Sequence, residues 1–200
     1  MPAEGKSVWG ITGHRRIPDP ENLFKTILRQ SELLLADGNA VCGLTPLAEG
    51  ADRIFAQALL QLGIPYCVPL PLEQKNYERD FPNSLAEFHS LLEKAQTVFT
   101  LPRCPWLAES EIEPDVYGRN FQYLSAGVYI ANQSNVLFSD WNGKPARGMG
   151  GTAQITDLFQ DFTVLKTSVN NEQYCYFRSL GKRKIVANRK LIPLDVVQDK

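Results

Sequence analysis

The chain lacks long hydrophobic runs, histidine clusters and paired cysteines, and each absence excludes a class of protein. No segment of its 200 residues approaches the roughly 18 apolar residues that cross a membrane, so we expect no membrane-spanning helix. Two histidines and four scattered cysteines, without a Cys-x-x-Cys pair, predict no metal site. The first residues lack the apolar centre of a signal peptide, which favours a cytoplasmic protein.

The chain also has almost no net charge. Its 21 basic and 22 acidic residues give a formal net charge of -1, which offers no general attraction to nucleic acid or to an anionic membrane. We therefore expect neither as a partner. The 44% of hydrophobic and 22% of charged residues are typical of a folded chain with a sizeable core.

Two common nucleotide-binding signatures are missing as well. Nothing matches the phosphate loop Gly-x-x-x-x-Gly-Lys-Ser/Thr, and no Gly-x-Gly-x-x-Gly follows the first predicted strand. These absences argue against nucleoside triphosphate hydrolysis of the phosphate-loop type and against a standard dinucleotide dehydrogenase. We predict no bound cofactor.

Short β-like runs alternate with longer amphipathic segments along most of the chain. The predicted strands cover residues 7–11, 40–44, 66–70, 97–101 and 135–139, and the predicted helices cover 21–36, 51–62, 84–95, 116–132 and 153–162. This alternation is typical of an α/β domain built on a mainly parallel sheet. In the last part we expect a sixth strand at 163–165 and a hairpin that pairs 173–177 with 184–187.

Three glycine-marked turns follow predicted strands. They therefore share the carboxyl edge of the sheet, where open parallel sheets bind their ligands. In the first turn Gly13 permits a tight backbone, Thr12 offers a hydroxyl, and His14 lies beside them. Arg15 can hold a phosphate or carboxylate through two hydrogen bonds, although a solvated Arg15 is the alternative.

The second turn precedes the second predicted helix. Gly50 and Ala51 admit a close backbone approach to a ligand. Asp52 has three possible roles, which are to cap the helix, to accept a hydrogen bond from a ribose hydroxyl, or to orient Arg15. Glu49 is expected to point outwards.

The third turn covers residues 148–152, between the fifth strand and the next helix. Backbone N–H groups at such a glycine cluster can approach an anion closely, and these residues are Gly148, Gly150 and Gly151. Thr152 adds a hydroxyl, and Lys144 and Arg147 make the segment locally basic. The turn predicts a phosphate site, with a flexible connection as the alternative.

Two aromatic residues lie near these turns in the predicted fold. Trp141 follows the fifth strand, where it could stack on a base or pack as a rim residue. Tyr77 and Arg79 could form a lid, against the simpler alternative of a solvated polar segment.

The turns resemble the conserved turns of the SLOG superfamily. That superfamily groups the lysine-decarboxylase-like LOG proteins, the Rossmann domain of DNA-processing protein A and many uncharacterised bacterial proteins. The resemblance is greatest to an uncharacterised, ligand-sensing bacterial branch, covers roughly residues 7–162, and is carried by residues 12–15, 50–53, 71, 77–81, 140–143 and 150–153.

The resemblance implies a Rossmann-like three-layer sandwich with helices on both faces of the sheet. Residues 1–165 would form the nucleotide-binding domain, and 166–200 an extension packed on it. The ligand would be a nucleotide or a nucleotide-derived phosphorylated molecule, bound by a sensor. Related proteins often dimerise through helices beside the site, so we expect a homodimer.

The same resemblance raises two alternatives. Enzymatic LOG members release the base from a nucleoside monophosphate and use a Pro-Gly-Gly-x-Gly-Thr-x-x-Glu motif. Aligned through Gly151 and Thr152, the motif's proline falls on Arg147 and its catalytic glutamate on Ile155, which puts that hydrolysis in doubt. The second alternative is a DNA-associated module that uses the basic segment 182–190, where a solvated edge is the competing interpretation.

Overall fold

The computed structural model of the chain describes residues 7–36, 41–145, 148–181 and 189–194. Within these ranges six strands form one sheet, namely β1 (Ser7–Gly13), β2 (Val41–Leu44), β3 (Tyr66–Leu70), β4 (Thr97–Thr100), β5 (Val136–Asp140) and β6 (Lys190–Pro193). Their order across the sheet is β4-β3-β2-β1-β5-β6, and every neighbouring pair is parallel. The chain thus builds outwards from β1 to β4 and then returns to the other side of β1. In such sheets the ligand crevice opens where the strand order reverses, between β1 and β5.

Seven α-helices connect or flank the strands in the described ranges. They are α1 (Pro20–Leu35), α2 (Ala51–Gln61), α3 (Gln74–Tyr77), α4 (Leu85–Glu93), α5 (Arg119–Gln133), α6 (Thr152–Gln160) and α7 (Asn171–Ser179). Right-handed connections put α1, α2 and α4 on one face of the sheet and α5 and α6 on the other. The contacts of α1 with α2, of α2 with α4 and of α5 with α6 agree with this arrangement. The predicted Rossmann-like α/β sandwich is confirmed, and its sheet is wholly parallel.

Local sequence explains where these elements begin. Asp19 caps α1 because its carboxylate accepts a hydrogen bond from the Asn22 N–H at 3.0 Å, and Pro20 follows at the first helical position. The sheet core is aromatic on the β1–β5 side, where the Phe138 ring packs 5.2 Å from Phe55 and 5.9 Å from Trp9, centroid to centroid. The five strands predicted before residue 141 are all present, with small shifts at their ends.

The predictions for the last part of the chain are wrong where the structure describes it. Residues 163–165 belong to a 3-10 helix, Phe162–Thr167, because Asp161 caps it and its apolar residues, Phe162 and Leu165, are buried three positions apart. Residues 173–177 lie in α7 and not in a strand. Asn170 and Gln173 form a reciprocal capping box, which is a helix-start signal.

The sixth strand lies further along the chain than predicted. Residues Lys190–Pro193 form β6 beside β5, while the predicted hairpin partner at 184–187 lies outside the described residues. Arg189 fixes the start of this strand, since its guanidinium donates to the Phe159 carbonyl at 2.9 Å. Segment 166–200 therefore contributes a strand to the main sheet.

None of the helices in the described ranges is long and apolar enough to span a membrane. In those same ranges no three histidine, cysteine, aspartate or glutamate side chains come together as metal ligands would.

Candidate functional site

A cavity of about 770 Å³ opens at the carboxyl ends of β1 and β5. Its volume lies within the usual range for small-molecule sites. Ten of the residues predicted for the ligand site line it: Thr12, Gly13, His14, Arg15, Asp52, Trp141, Gly148, Gly150, Gly151 and Thr152. Parallel strands explain this convergence, because turns far apart in sequence leave the sheet at the same edge.

Gly50 and Ala51 were predicted to face the ligand but lie behind the cavity wall. The Ala51 N–H donates to the carbonyl oxygen of His14 at 3.1 Å, and Gly50 packs on the same peptide. The second turn therefore supports the first turn, while its residues Ala48 and Asp52 line the cavity.

The N-terminus of α6 forms one end of the cavity. No side chain among the described residues caps this helix, and the Thr152 and Ala153 amides have no hydrogen-bond partner there. The Gly150 N–H is occupied, since it donates to Gln154 Oε1 at 2.7 Å. Gly150 has a φ of +77°, and a Cβ there would lie 3.0 Å from the Leu124 backbone nitrogen, so the loop passes close over α5. Helix N-termini of this kind attract anions through their free N–H groups and the helix dipole.

Trp141 and Lys144 lie at the rim beside α6. The Trp141 indole N–H donates to the Lys144 carbonyl oxygen at 2.7 Å, which fixes the ring in the turn that follows β5. Both residues line the cavity, so an aromatic surface and an ammonium group are available there. Arg147 lies outside the described residues.

Arg15 extends over the cavity from the first turn. Its guanidinium carbon lies 5.4 Å from the centroid of the Tyr123 ring, a cation–π distance. Its guanidinium also hydrogen-bonds to Tyr123, but no carboxylate of the described residues lies within ion-pair distance of it, so its remaining N–H groups can bind an anion.

A buried ion-pair network holds Tyr123 in place beneath Arg15. Arg119, which is 3% exposed, donates to Asp80 at 2.8 Å and to the Tyr123 hydroxyl at 2.6 Å. That hydroxyl donates in turn to Asp80, and Arg119 also donates to both side-chain and backbone oxygens of Asn76. The ring that supports Arg15 is therefore fixed from α3, from the 3-10 turn Glu78–Asp80 that follows it, and from α5.

Asp52, from α2, and Tyr77, from α3, also line the cavity. Asp52 Oδ2 accepts the Ala48 N–H at 3.2 Å, and burial raises the pKa of this carboxyl to about 7. Of the two options for this segment, a lid and a solvated polar segment, neither describes Tyr77, which is 1% exposed in the cavity wall and packs against the Phe81 ring. Arg79 is half-exposed and pairs with Glu113 at 2.6 Å. Glu49 turns away from the cavity and accepts a hydrogen bond from Ser84.

His14 and Asp140 are linked behind the first turn. The His14 N–H donates to Asp140 Oδ2 at 3.3 Å, and burial raises the pKa of that carboxyl. His14 Nε2 is buried without a hydrogen-bond partner among the described residues. Asp140 supports the turn and is absent from the cavity lining, whereas His14 contributes to the lining.

The sequence reasoning missed the wall that α5 provides. Tyr123, Ala126, Gly127 and Ile130 all line the cavity. Gly127 leaves room for Ile155, whose Cδ1 would lie 2.4 Å from a Cβ at position 127. An available signal was the tyrosine and glycine on the predicted helix 116–132, but such residues are also common at ordinary helix contacts.

Comparison with known proteins finds a similarity to a solved structure. No protein-family model matches the chain, and no curated protein matches its sequence. The chain is similar to the X-ray structure of DNA processing protein A (DprA) from Streptococcus pneumoniae, with a TM-score of 0.48 and 13% sequence identity. The match covers 78% of this chain and 47% of that one, so the chain spans about half the length of that structure.

Proposed function

We propose that the cavity binds a nucleotide or another phosphorylated small molecule, and that the protein acts as a ligand sensor. The observation that carries this proposal is that the uncapped N-terminus of α6 and the guanidinium of Arg15, which has no carboxylate ion-pair partner among the described residues, line one cavity. Free helix amides and a guanidinium fork are the two protein groups best suited to a phosphate.

Three further features support a nucleotide over a bare anion. The cavity volume of about 770 Å³ has room for a nucleoside beside the phosphate. Trp141 at the rim offers a surface on which a base can stack. The resemblance of the three turns to those of the SLOG superfamily supports the same ligand class.

Ile155 favours binding over turnover. It lines the cavity at the position where the resemblance places the glutamate of the LOG hydrolases, and it is 2% exposed against α5. An isoleucine can neither stabilise positive charge on a sugar nor move a proton. Base release from nucleoside monophosphates is therefore the less favoured function. Association with DNA through 182–190, a homodimer and a cytoplasmic location stay predictions.

A thermal-shift screen with nucleoside mono-, di- and triphosphates tests the proposal. A ligand at 100 times its Kd stabilises the folded chain by about 2.7 kcal/mol, which is readily measured. We expect Arg15→Ala to lose the shift and Arg29→Ala, an exposed arginine on α1 away from the cavity, to keep it. A wild type that no phosphorylated compound stabilises would overturn the proposal.

Enzymatic release of the base from nucleoside monophosphates is measured in parallel with the thermal-shift screen. Wild type is incubated with the nucleoside monophosphates that stabilise it, and free base is quantified by chromatography. We expect no release above that of a heat-inactivated sample. Sustained release would show an enzyme and would overturn the sensor assignment.

A further inference from the structure

We infer that Asp52 and Tyr77 form a second subsite of the cavity, which accepts an N–H or O–H donor of the phosphorylated ligand. The inference rests on the proposed function and adds the chemistry of the ligand's other end. It assigns the ligand a phosphate at the α6 end and a neutral hydrogen-bond donor at the α2 end.

The first observation is an unsatisfied carboxylate oxygen. Asp52 is 7% exposed, and its Oδ2 accepts the Ala48 N–H. Its other oxygen, Oδ1, has no hydrogen-bond partner among the described residues, although the side chain lines the cavity. An acceptor oxygen in the cavity wall without a protein donor is available to a donor group of a ligand.

The second observation is the Tyr77 hydroxyl. The Tyr77 ring is held edge-on by Phe81, at 5.0 Å between centroids, and by Phe88, at 6.0 Å. Its hydroxyl forms no hydrogen bond within the part of the chain that the structure describes, even though the residue is 1% exposed. Because Tyr77 lines the cavity, its hydroxyl is available to hydrogen-bond with a ligand.

The polar side chains of the adjoining network have partners of their own. Arg119, Asp80 and the Tyr123 hydroxyl hydrogen-bond to one another. Arg53, the residue after Asp52, pairs with Glu87 at 2.8 Å. None of these groups donates to Asp52 Oδ1 or bonds to the Tyr77 hydroxyl, so both stay available to a ligand.

The charges around Asp52 indicate which protonation state binds. Burial is the largest influence and raises its pKa to about 7, while the Ala48 N–H and the guanidinium groups of Arg15 and Arg53 oppose that rise. The titratable and charged groups that face this corner are Arg15, Arg53, Tyr77, Asp80 and Tyr123. A ligand donor adds to the interactions that favour the carboxylate, so binding selects ionised Asp52. Affinity should then rise by about tenfold between pH 6 and pH 8.

Two parts of a nucleotide can supply the donor, and paired probes distinguish them. A ribose hydroxyl is removed in the 2′-deoxy form of each nucleoside monophosphate. An exocyclic amino group is removed when inosine 5′-monophosphate replaces adenosine 5′-monophosphate. Calorimetric titration of these probes against wild type, Asp52→Asn and Tyr77→Phe measures how much the ribose hydroxyl and the exocyclic amino group each contribute to the affinity. Glu49→Gln is the matched control, since Glu49 precedes the same helix but faces Ser84 and not the cavity.

We expect wild type to lose about tenfold in affinity with one of the two probe changes, as for one lost hydrogen bond to a charged group. Asp52→Asn should bind both members of that pair equally and lose the rise in affinity with pH, while Glu49→Gln behaves as wild type. The pH dependence left in Asp52→Asn reports the phosphate's own titration near pH 6.

The outcomes separate this inference from the proposed function. If the probes bind in an Arg15-dependent way but Asp52→Asn keeps the affinity and selectivity of wild type, the second subsite is wrong and the phosphate site stands. If wild type binds no probe, both are wrong.

Discussion

Gly50 lies against the backbone of His14, so that a Cβ at position 50 would be 2.3 Å from the His14 carbonyl oxygen. The N–H of the next residue, Ala51, donates to that same oxygen. Two turns that are far apart in sequence are thereby fixed to each other. The position of Arg15 over the cavity depends on a glycine that does not itself line it.

Substitution of Gly50 by alanine should destabilise the fold severely. Its φ of +82° is unfavourable for any L side chain, and the Cβ would also meet the Arg15 carbonyl oxygen at 2.5 Å. We expect a loss of more than about 2 kcal/mol in the free energy of unfolding, measured by urea denaturation. Gly63→Ala is the control, because Gly63 has a φ of +67° with nothing within 4 Å of its Cβ position. It should lose only about 1 kcal/mol, and equal losses at both positions would contradict the packing argument.

Substitution of Asp80 by asparagine should also be strongly destabilising. Arg119 is 3% exposed, and without its carboxylate partner it would be a buried charge held only by neutral oxygens. Breaking such a buried pair costs about 3 kcal/mol or more. Glu113→Gln breaks the half-exposed Arg79–Glu113 pair instead and should cost less than about 1 kcal/mol in the same urea experiment. A small loss for Asp80→Asn would show that the network around Tyr123 is not a structural anchor.

The sequence predicted those parts of the fold and site that depend on local patterns. Strands such as Tyr66–Leu70 are continuous apolar runs between helices, and the glycine turns lie at the end of β1 or in the loops after β2 and β5. The last segment was misjudged because α7 is mostly exposed and buries only Phe177, which leaves little helical periodicity to read. Its capping box at Asn170 and Gln173 was the stronger signal.

The cavity wall on α5 could not be derived in the same way. Whether Tyr123 faces a cavity or solvent depends on Asp80, which accepts a hydrogen bond from its hydroxyl, and on Asn76, which accepts one from the neighbouring Arg119; both bonds join residues 43 positions apart. We predicted that Gly50 contacts a ligand. A glycine indicates that another group packs closely against the backbone at that position, but the sequence does not show whether that group is a ligand or another part of the chain. The partner proved to be the first turn itself.

The stability of the ligand-free protein should fall as pH rises from about 4 to 7. The pKa of Asp52 is raised to about 7 in the folded state, above its unfolded value of about 3.9, so the folded state holds a proton that the unfolded state has released. The neutral carboxyl thus favours folding below this window, and its ionisation costs up to roughly 4 kcal/mol above it. Asp52→Asn removes this titration and should be more stable than wild type at pH 8.

Chemical denaturation at a series of pH values checks this prediction. Glu49→Gln is again the control, and its stability should follow the pH dependence of wild type. If Asp52→Asn and wild type keep a constant difference in unfolding free energy from pH 4 to 8, then Asp52 does not titrate in this range.

Gln154 controls access to the amides at the start of α6. Its Oε1 accepts the Gly150 N–H at 2.7 Å, so it occupies a donor that would otherwise face the cavity. A glutamate at this position would bring a negative charge beside the phosphate site and repel the ligand. We therefore expect Gln154→Glu to weaken the binding of nucleoside monophosphates by at least about tenfold, as for a single like-charge contact in a partly buried site. Calorimetry measures the effect, with Gln30→Glu on α1 adding the same charge away from the cavity. Unchanged affinity in Gln154→Glu would place the phosphate elsewhere than at α6.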